Sequence, residues 1–114
     1  MWYNYIGDIM YIKTNNKKIR LEYANTFFKR FKGFMMKKNI DYCICFPKCN
    51  SIHTFFMREN IDVIMTDKNN KILYIHKDLN KNKVITHKDA YNTYEFPRNS
   101  TDFKIKDIIK IETD

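Results

Sequence analysis

The stretch that decides the fold runs from Ile61 to His76 and reads IDVIMTDKNNKILYIH. Its first part, Ile61 to Met65, and its last part, Lys71 to His76, are both rich in the apolar residues typical of strands. The residues between them, Asp67-Lys68-Asn69-Asn70, are typical of a tight turn, because Asn and Asp tolerate left-handed backbone and hydrogen-bond their own backbone. Two strand-like segments joined by such a turn predict an antiparallel hairpin.

Further strand patterns lie on both sides of this hairpin. Ile19, Leu21 and Tyr23 alternate with charged residues, the period-two pattern of a half-buried strand. The other predicted strands are Tyr42–Phe46, Ile52–Met57, Tyr91–Phe96 and Lys106–Glu112. Six or seven strands joined by tight turns predict an α+β fold, either a mainly antiparallel sheet or a partly closed barrel. Since the chain has only two Gly, its turns are expected to fall on Asn.

One helix is predicted, beginning after Thr26 as its N-cap. The apolar residues at helical spacing are Phe27, Phe28, Phe31, Phe34 and Met35. Basic residues lie between them, so the helix is amphipathic and is expected to pack on the sheet, with Phe31 and Phe34 in the core. Gly33 inside this pattern predicts a close approach to another backbone, since Gly is otherwise unfavourable in a helix.

The chain of 114 residues fits one domain and shows no linker or repeat. We interpret residues 1–18 as an N-terminal extension that adds a strand and residues 19–114 as a single globular domain. The beginning of the chain lacks the basic and apolar regions of a signal peptide, and no run approaches the roughly 20 apolar residues of a membrane span. We therefore expect a cytoplasmic protein, in which the three cysteines are reduced and unpaired.

The formal net charge is +8. Such a surface attracts phosphates, which makes nucleic acid a possible partner. The Lys residues are spread along the whole chain and form no block, so a basic but solvated surface is the alternative. Trp2, Tyr3 and Tyr5 either stack on bases or pack at the edge of the domain.

The segment from Cys49 to Met57 reads CNSIHTFFM and is followed by Ile61-Asp62-Val63. It resembles the family of small bacterial and archaeal proteins catalogued as domain of unknown function one-nine-two, an uncharacterised conserved family. Other segments that resemble family motifs are Arg30–Met35, Asp67–Ile72, Tyr94–Pro97 and Lys104–Asp107. Positions that depart from the family's Gly or Pro are Asn70, Asn99, Lys106 and Leu79-Asn80. The resemblance implies an α+β fold dominated by antiparallel strands, and it implies no reaction and no catalytic residue.

Four soft ligands lie close together in the sequence, namely Cys43, Cys45, Cys49 and His53. They suffice for zinc or copper(I), but they lack the paired spacing of structural zinc sites. In an extended segment Cys49 and His53 lie about 13 Å apart, too far for one ion. We therefore expect no metal and no cofactor, and we interpret Cys43 and Cys45 as core residues. The same distance argues against Cys49 as a nucleophile with His53 as its base, so no catalytic residue is assigned.

His53 and Asp62 are polar residues in apolar strand patterns, where an unpaired polar group costs several kcal/mol. We expect them to hydrogen-bond each other and, with Met57 and Cys49, to line a cleft; a purely structural pair is the alternative. The function predicted first is a small non-enzymatic binding or accessory module for a small ligand or a protein partner. A basic protein that contacts nucleic acid is the second interpretation, and an enzyme of unknown reaction is the third.

Overall fold

A computed structural model describes residues 9–14 and 17–114 of the chain. The elements in the described residues are β1 (Met10–Lys13), β2 (Lys18–Tyr23), α1 (Phe27–Lys32), β3 (Tyr42–Phe46), β4 (Ser51–His53), β5 (Ile61–Thr66), β6 (Ile72–Leu79), β7 (Val84–Thr86), β8 (Asn92–Pro97) and β9 (Ile111–Thr113). Predicted positions for Trp2, Tyr3, Tyr5 and the turn at Asn15-Asn16 lie outside this part of the chain.

Seven strands form one sheet in the order β6-β5-β8-β3-β2-β1-β9, and β4 pairs with β7 in a separate ribbon. All neighbours in the sheet are antiparallel except β2 and β3, which are parallel and joined through α1. A parallel pair needs such a crossover connection, so the position of α1 follows from the topology. The predicted α+β fold with a mainly antiparallel sheet is confirmed. The sheet is open, so the alternative of a partly closed barrel is wrong.

The predicted hairpin is present as β5 and β6, and Asn70 in its turn has a φ of 63°. Other Asn residues with left-handed backbone are Asn39, Asn82 and Asn99, so the expected use of Asn in turns is confirmed. Two predicted strands were too long, because β4 ends at His53 and β9 begins only at Ile111.

Two apolar clusters cover the two faces of the sheet. In β3 the alternation is direct: Cys43 and Cys45 belong to one cluster, and Ile44 and Phe46 belong to the other. Cys43 and Cys45 are therefore core residues, as predicted. The cluster that contains Ile44 and Phe46 lies on the face that also carries Ile52 of β4.

The expected packing of the helix is wrong for Phe31. No residue of α1 is buried, and Phe31 is 59% exposed, whereas Phe34 is 0% exposed. Thr26 is the N-cap, as predicted, but the helix ends at Lys32, because Gly33 takes a φ of 49° and caps it. Phe34 then enters the core from the following turn. The apolar side of the helix faces outward, and exposed Phe27 and Phe28 lie on it.

No helix in the described ranges is long and apolar enough to cross a membrane. The boundary between an extension and a domain at residue 18 stays a prediction.

Candidate functional site

A cavity of about 220 Å³ opens between α1, β4 and the face of the sheet that carries β3 and β8. Three of the four binding residues predicted from the sequence line it: Cys49, His53 and Met57. The fourth, Asp62, does not. Glu95 also lines this cavity, and sequence reasoning did not assign it to the site.

Glu95 lies in β8 at the centre of the sheet, opposite Ile44 of β3 and Val63 of β5. It is only 2% exposed, and its Oε1 is the one buried side-chain polar atom without a hydrogen-bond partner in residues 9–14 and 17–114. The backbone N–H of Phe34 donates to the carboxyl group. Burial raises the pKa of Glu95 to about 8, so the side chain is mainly protonated at neutral pH.

Gly33 allows this arrangement. A Cβ atom at this position would lie 3.1 Å from Glu95 Oε1 and 3.2 Å from Cζ of Phe46. The close approach predicted at Gly33 is therefore real, but it is made to two side chains and not to another backbone. The positive φ and this crowding both favour glycine at position 33.

His53 forms part of the wall of the cavity. Its Nδ1 accepts a hydrogen bond of 3.1 Å from the backbone N–H of Phe55, so in the neutral ring the proton is on Nε2. The ring packs edge-on against Phe31 at 6.5 Å and stacks on Phe55 at 5.3 Å between centroids. Phe31 and Phe55 are both exposed and contact the imidazole, but only Phe31 lines the cavity.

Two basic residues of α1, Arg30 and Lys32, complete the lining. The Arg30 guanidinium donates to the carbonyl oxygen of Pro47 at 2.8 Å, which ties α1 to the end of β3. Positive charge therefore surrounds the entrance, while the acid at the floor is neutral. This arrangement favours an anionic group over a cationic one.

The described thiols are all free, as predicted. Cys49 donates from Sγ to the carbonyl oxygen of Ser51 at 3.2 Å. The proton of this thiol is therefore directed to a backbone carbonyl and not to the imidazole of His53. Burial raises the pKa of Cys45 to about 12, and it raises the pKa of Cys43 well above the usual range. Within the described ranges, no three His, Cys, Asp or Glu side chains are grouped so that they could hold a metal ion.

The predicted pair of His53 and Asp62 is wrong. Asp62 is 0% exposed, and its Oδ1 accepts from the backbone N–H groups of Asp78 and Asn99, each at 2.9 Å. Its Oδ2 accepts from the Thr101 hydroxyl at 2.9 Å. The reason is the strand period: Ile61 and Val63 belong to the apolar cluster on the face of the cavity, so Asp62 between them points to the other face. The carboxylate orders loops and cannot line the cleft.

Glu95 carried a signal that sequence reasoning did not use. It is a single acidic residue in a strand, and the aromatic residues on either side of it, Tyr94 and Phe96, are both buried. The cost argument applied to His53 and Asp62, that a lone polar group in an apolar strand needs a partner, applies to it equally.

A larger concavity of about 710 Å³ lies beside β1 and β9. Its lining includes the charged residues Lys13, Asp102, Lys104, Asp107, Lys110 and Glu112. The buried polar atom that lacks a partner is in the smaller cavity. We therefore take the cavity under α1, with Glu95 at its floor, as the candidate site.

The fold is shared with solved structures. A crystal structure of a candidate transcription regulator from Sinorhizobium meliloti has a TM-score of 0.72 at 12% identity and covers 93% of this chain and 92% of that one. A protein of unknown function from Novosphingobium aromaticivorans has a TM-score of 0.69 at 14% identity, with coverage of 91% and 83%. At these identities the likeness shows the fold alone, and it defines the class: a small, open-sheet α+β domain.

The sequence relatives are more specific. A UPF0127 protein of Thermococcus sibiricus is 42% identical over 60 residues, which is 47% of this chain and 39% of that protein. A UPF0127 protein of Pyrococcus furiosus is 40% identical over 68 residues, 53% of this chain and 58% of that protein. The chain thus spans between about two fifths and three fifths of the length of these curated relatives. The model of the DUF192 family, described as Uncharacterized ACR, matches residues 10–107, and the chain belongs to this family.

Proposed function

We propose that the protein is a non-enzymatic ligand-binding module and that the cavity under α1 is its binding site. One observation carries the proposal: Oε1 of Glu95 is buried and has no hydrogen-bond partner within residues 9–14 and 17–114. Glu95 also lines this cavity. A buried polar group left unsatisfied costs about 1–3 kcal/mol, and a ligand that hydrogen-bonds it recovers this energy.

The entrance supports the proposal. Phe31 is exposed, and the cavity that it lines also contains the buried side chains of Phe46, Ile52 and Met57. Apolar walls with a small number of placed polar groups are the usual composition of a small-molecule site. A ligand bound against Phe31 would remove the apolar surface of this ring from water, which is favourable.

Binding is favoured over nucleophilic catalysis by the partners of the two reactive groups. The thiol of Cys49 donates to a backbone carbonyl, and Nδ1 of His53 accepts from a backbone N–H. A thiol nucleophile requires an adjacent base that accepts its proton, and these bonds engage both groups elsewhere. We place the protein in the cytoplasm, in keeping with its three free thiols.

A fragment screen by nuclear magnetic resonance tests the proposal. The wild-type protein, labelled with ¹⁵N, is titrated with a set of small acids, amines and neutral aromatic compounds. We expect the amide signals of Gly33, His53 and Met57 to shift together for those compounds that bind. A screen in which no compound moves these signals would contradict the proposal.

Two matched variants localise the binding. Ser51 and Thr86 are exposed cross-strand partners whose hydroxyl groups hydrogen-bond each other at 2.7 Å, but only Ser51 lines the cavity. Ser51→Phe and Thr86→Phe both remove this bond and add the same side chain. Only Ser51→Phe should weaken binding, because only it obstructs the entrance. Equal weakening by both variants would show that the ligand binds elsewhere.

The salt dependence of binding separates this function from contact with nucleic acid. Binding through a basic surface weakens steeply as the salt concentration rises, because counterions are released from the phosphates. A gel-shift experiment with short DNA and RNA, repeated at two salt concentrations, measures that property directly.

A further inference from the structure

We infer that the ligand is a small monocarboxylate with about one ring, whose carboxylate accepts a hydrogen bond from the carboxylic acid of Glu95 and whose ring lies against Phe31 and His53. This inference rests on the binding function proposed above and adds the chemical class of the ligand.

The first step concerns the proton of Glu95. The backbone N–H of Phe34 donates a hydrogen bond to the carboxyl group, which acts as the acceptor. Oε1 has no hydrogen-bond partner among the described residues. No salt bridge joins Glu95 to a described cation, and a buried acid without a counter-ion keeps its proton. Its O–H is thus a donor that faces the cavity and needs an acceptor.

The second step concerns charge. Arg30 and Lys32 line the same cavity, and Glu95 is the only acid in its described lining. With Glu95 neutral, the walls carry positive charge, which repels an amine and attracts an anion. A carboxylate that accepts from a carboxylic acid forms a charge-assisted hydrogen bond, roughly twice as strong as a neutral one. An uncharged ligand oxygen that accepted from the same donor would form a weaker hydrogen bond.

The third step concerns size and shape. The volume of about 220 Å³ is smaller than the roughly 300–1,000 Å³ of sites for drug-sized ligands. The ring faces at the entrance are those of Phe31 and His53, and aromatic pairs stabilise each other beyond the area that they bury. A molecule of one ring with a short acidic arm matches a polar floor beneath an aromatic entrance.

Three probes of equal shape test the class of ligand: phenylacetate, 2-phenylethylamine and 2-phenylethanol. Each is titrated into ¹⁵N-labelled wild-type protein near neutral pH, and the shifts of Gly33, His53 and Met57 give the Kd. We expect phenylacetate to bind at least about tenfold more tightly than the amine, since a tenfold difference needs only one good charged contact. Tighter binding of the amine or the alcohol in the cavity would overturn the carboxylate class and leave the proposed site intact.

The pH dependence and one substitution test the role of Glu95. Ionisation of Glu95 removes the donor and adds a repelling charge, so the affinity for phenylacetate should fall about tenfold between about pH 7 and pH 9. Glu95→Gln keeps a neutral donor at the same place, so this variant should still bind phenylacetate, and its affinity should not change over that pH range. Loss of binding in a folded Glu95→Gln protein, or a wild-type affinity that does not depend on pH, would overturn the inference.

A second pair of variants keeps the test decisive if Glu95→Gln does not fold. Arg30 and Lys29 are exposed neighbours on α1, but only Arg30 lines this cavity. Arg30→Gln should weaken phenylacetate binding severalfold, and Lys29→Gln should leave it unchanged. Equal effects would overturn the inference. If no compound of the wider screen binds in the cavity, the proposed function fails as well, so the two failures are distinguishable.

Discussion

Gly33 lies directly over Glu95, so that a Cβ atom on the glycine would be 3.1 Å from Oε1 of the carboxyl group. The same residue ends α1 with a φ of 49°. One glycine therefore both releases the chain from the helix, which lets Phe34 enter the core, and leaves room beside the buried acid. The local structure of the helix end and the chemistry of the cavity depend on each other.

Gly33→Ala should destabilise the protein by roughly 1–3 kcal/mol, because an L side chain is strained at this φ and ψ. Its methyl group would also crowd Glu95 and Phe46. Urea unfolding followed by far-ultraviolet circular dichroism measures the change. Lys29→Ala, at an exposed position of the same helix, should change the free energy of unfolding by no more than about 0.5 kcal/mol. Equal stability of both variants would contradict the strain.

Phe34 and Phe31 form a matched pair that tests the position of the helix. Phe34 is fully buried and Phe31 is 59% exposed. Phe34→Ala should cost about 3–5 kcal/mol, as for a core aromatic residue. Phe31→Ala should cost less than about 1 kcal/mol, as is usual for a surface position. If the two costs are reversed or equal in urea unfolding, the helix face is assigned incorrectly.

The hairpin and the central strands could be predicted because their signals are local. The turn at Asp67–Asn70 and the apolar segment at Tyr42–Phe46 each depend on adjacent residues, and β3 has the predicted bounds. The helix was extended too far because Phe34 keeps helical spacing from Phe31 and only Gly33 marks the end. β7 was missed because Val84 and its neighbours are mainly exposed and show no apolar alternation.

The candidate site was predicted in part. Sequence reasoning correctly required a partner for Asp62, but the donors come from Asp78, Asn99 and Thr101, which are distant in the chain. Such partners depend on the order of the strands, which no local pattern specifies. Cys49, His53 and Met57 could be grouped because they are close in sequence, and the structure places them around one cavity.

Asp62→Asn tests the structural role of Asp62. The amide would present a donor NH₂ group where the carboxylate accepts three hydrogen bonds, so we expect a loss of about 1–3 kcal/mol in urea unfolding. Thr86→Ala, at an exposed position, should change the free energy of unfolding by no more than about 0.5 kcal/mol and serves as the control. Wild-type stability of Asp62→Asn would contradict the structural role of the carboxylate.

His76 should make the protein sensitive to acid. Its Nε2 lies 3.0 Å from Nε2 of His87, and burial, with a smaller effect of His87, lowers the pKa of His76. A lowered histidine pKa contributes stability that is present above the unfolded pKa of about 6.5 and is lost as the pH falls through the folded value. His76→Gln should therefore lose less stability than wild type between about pH 7 and pH 5. Parallel losses in the two proteins would contradict this role.

Glu95 should have the opposite effect on the alkaline side. Its pKa is raised by burial to about 8 from a usual value of 4.5, so the native state holds a proton that the unfolded chain releases. The stability from this group is fully present below about pH 4.5 and is lost as the pH rises through about pH 8. Glu95→Gln cannot ionise, so it should gain several kcal/mol relative to wild type between about pH 5 and pH 9. Glu59→Gln is the control, because the backbone N–H of Asn39 lowers the pKa of the exposed Glu59, so its contribution to stability changes only below about pH 4.5 and its difference from wild type should be constant between about pH 5 and pH 9. Urea unfolding of the three proteins across this pH range measures these differences, and a constant difference between wild type and Glu95→Gln would show that the acid is ionised in the native state.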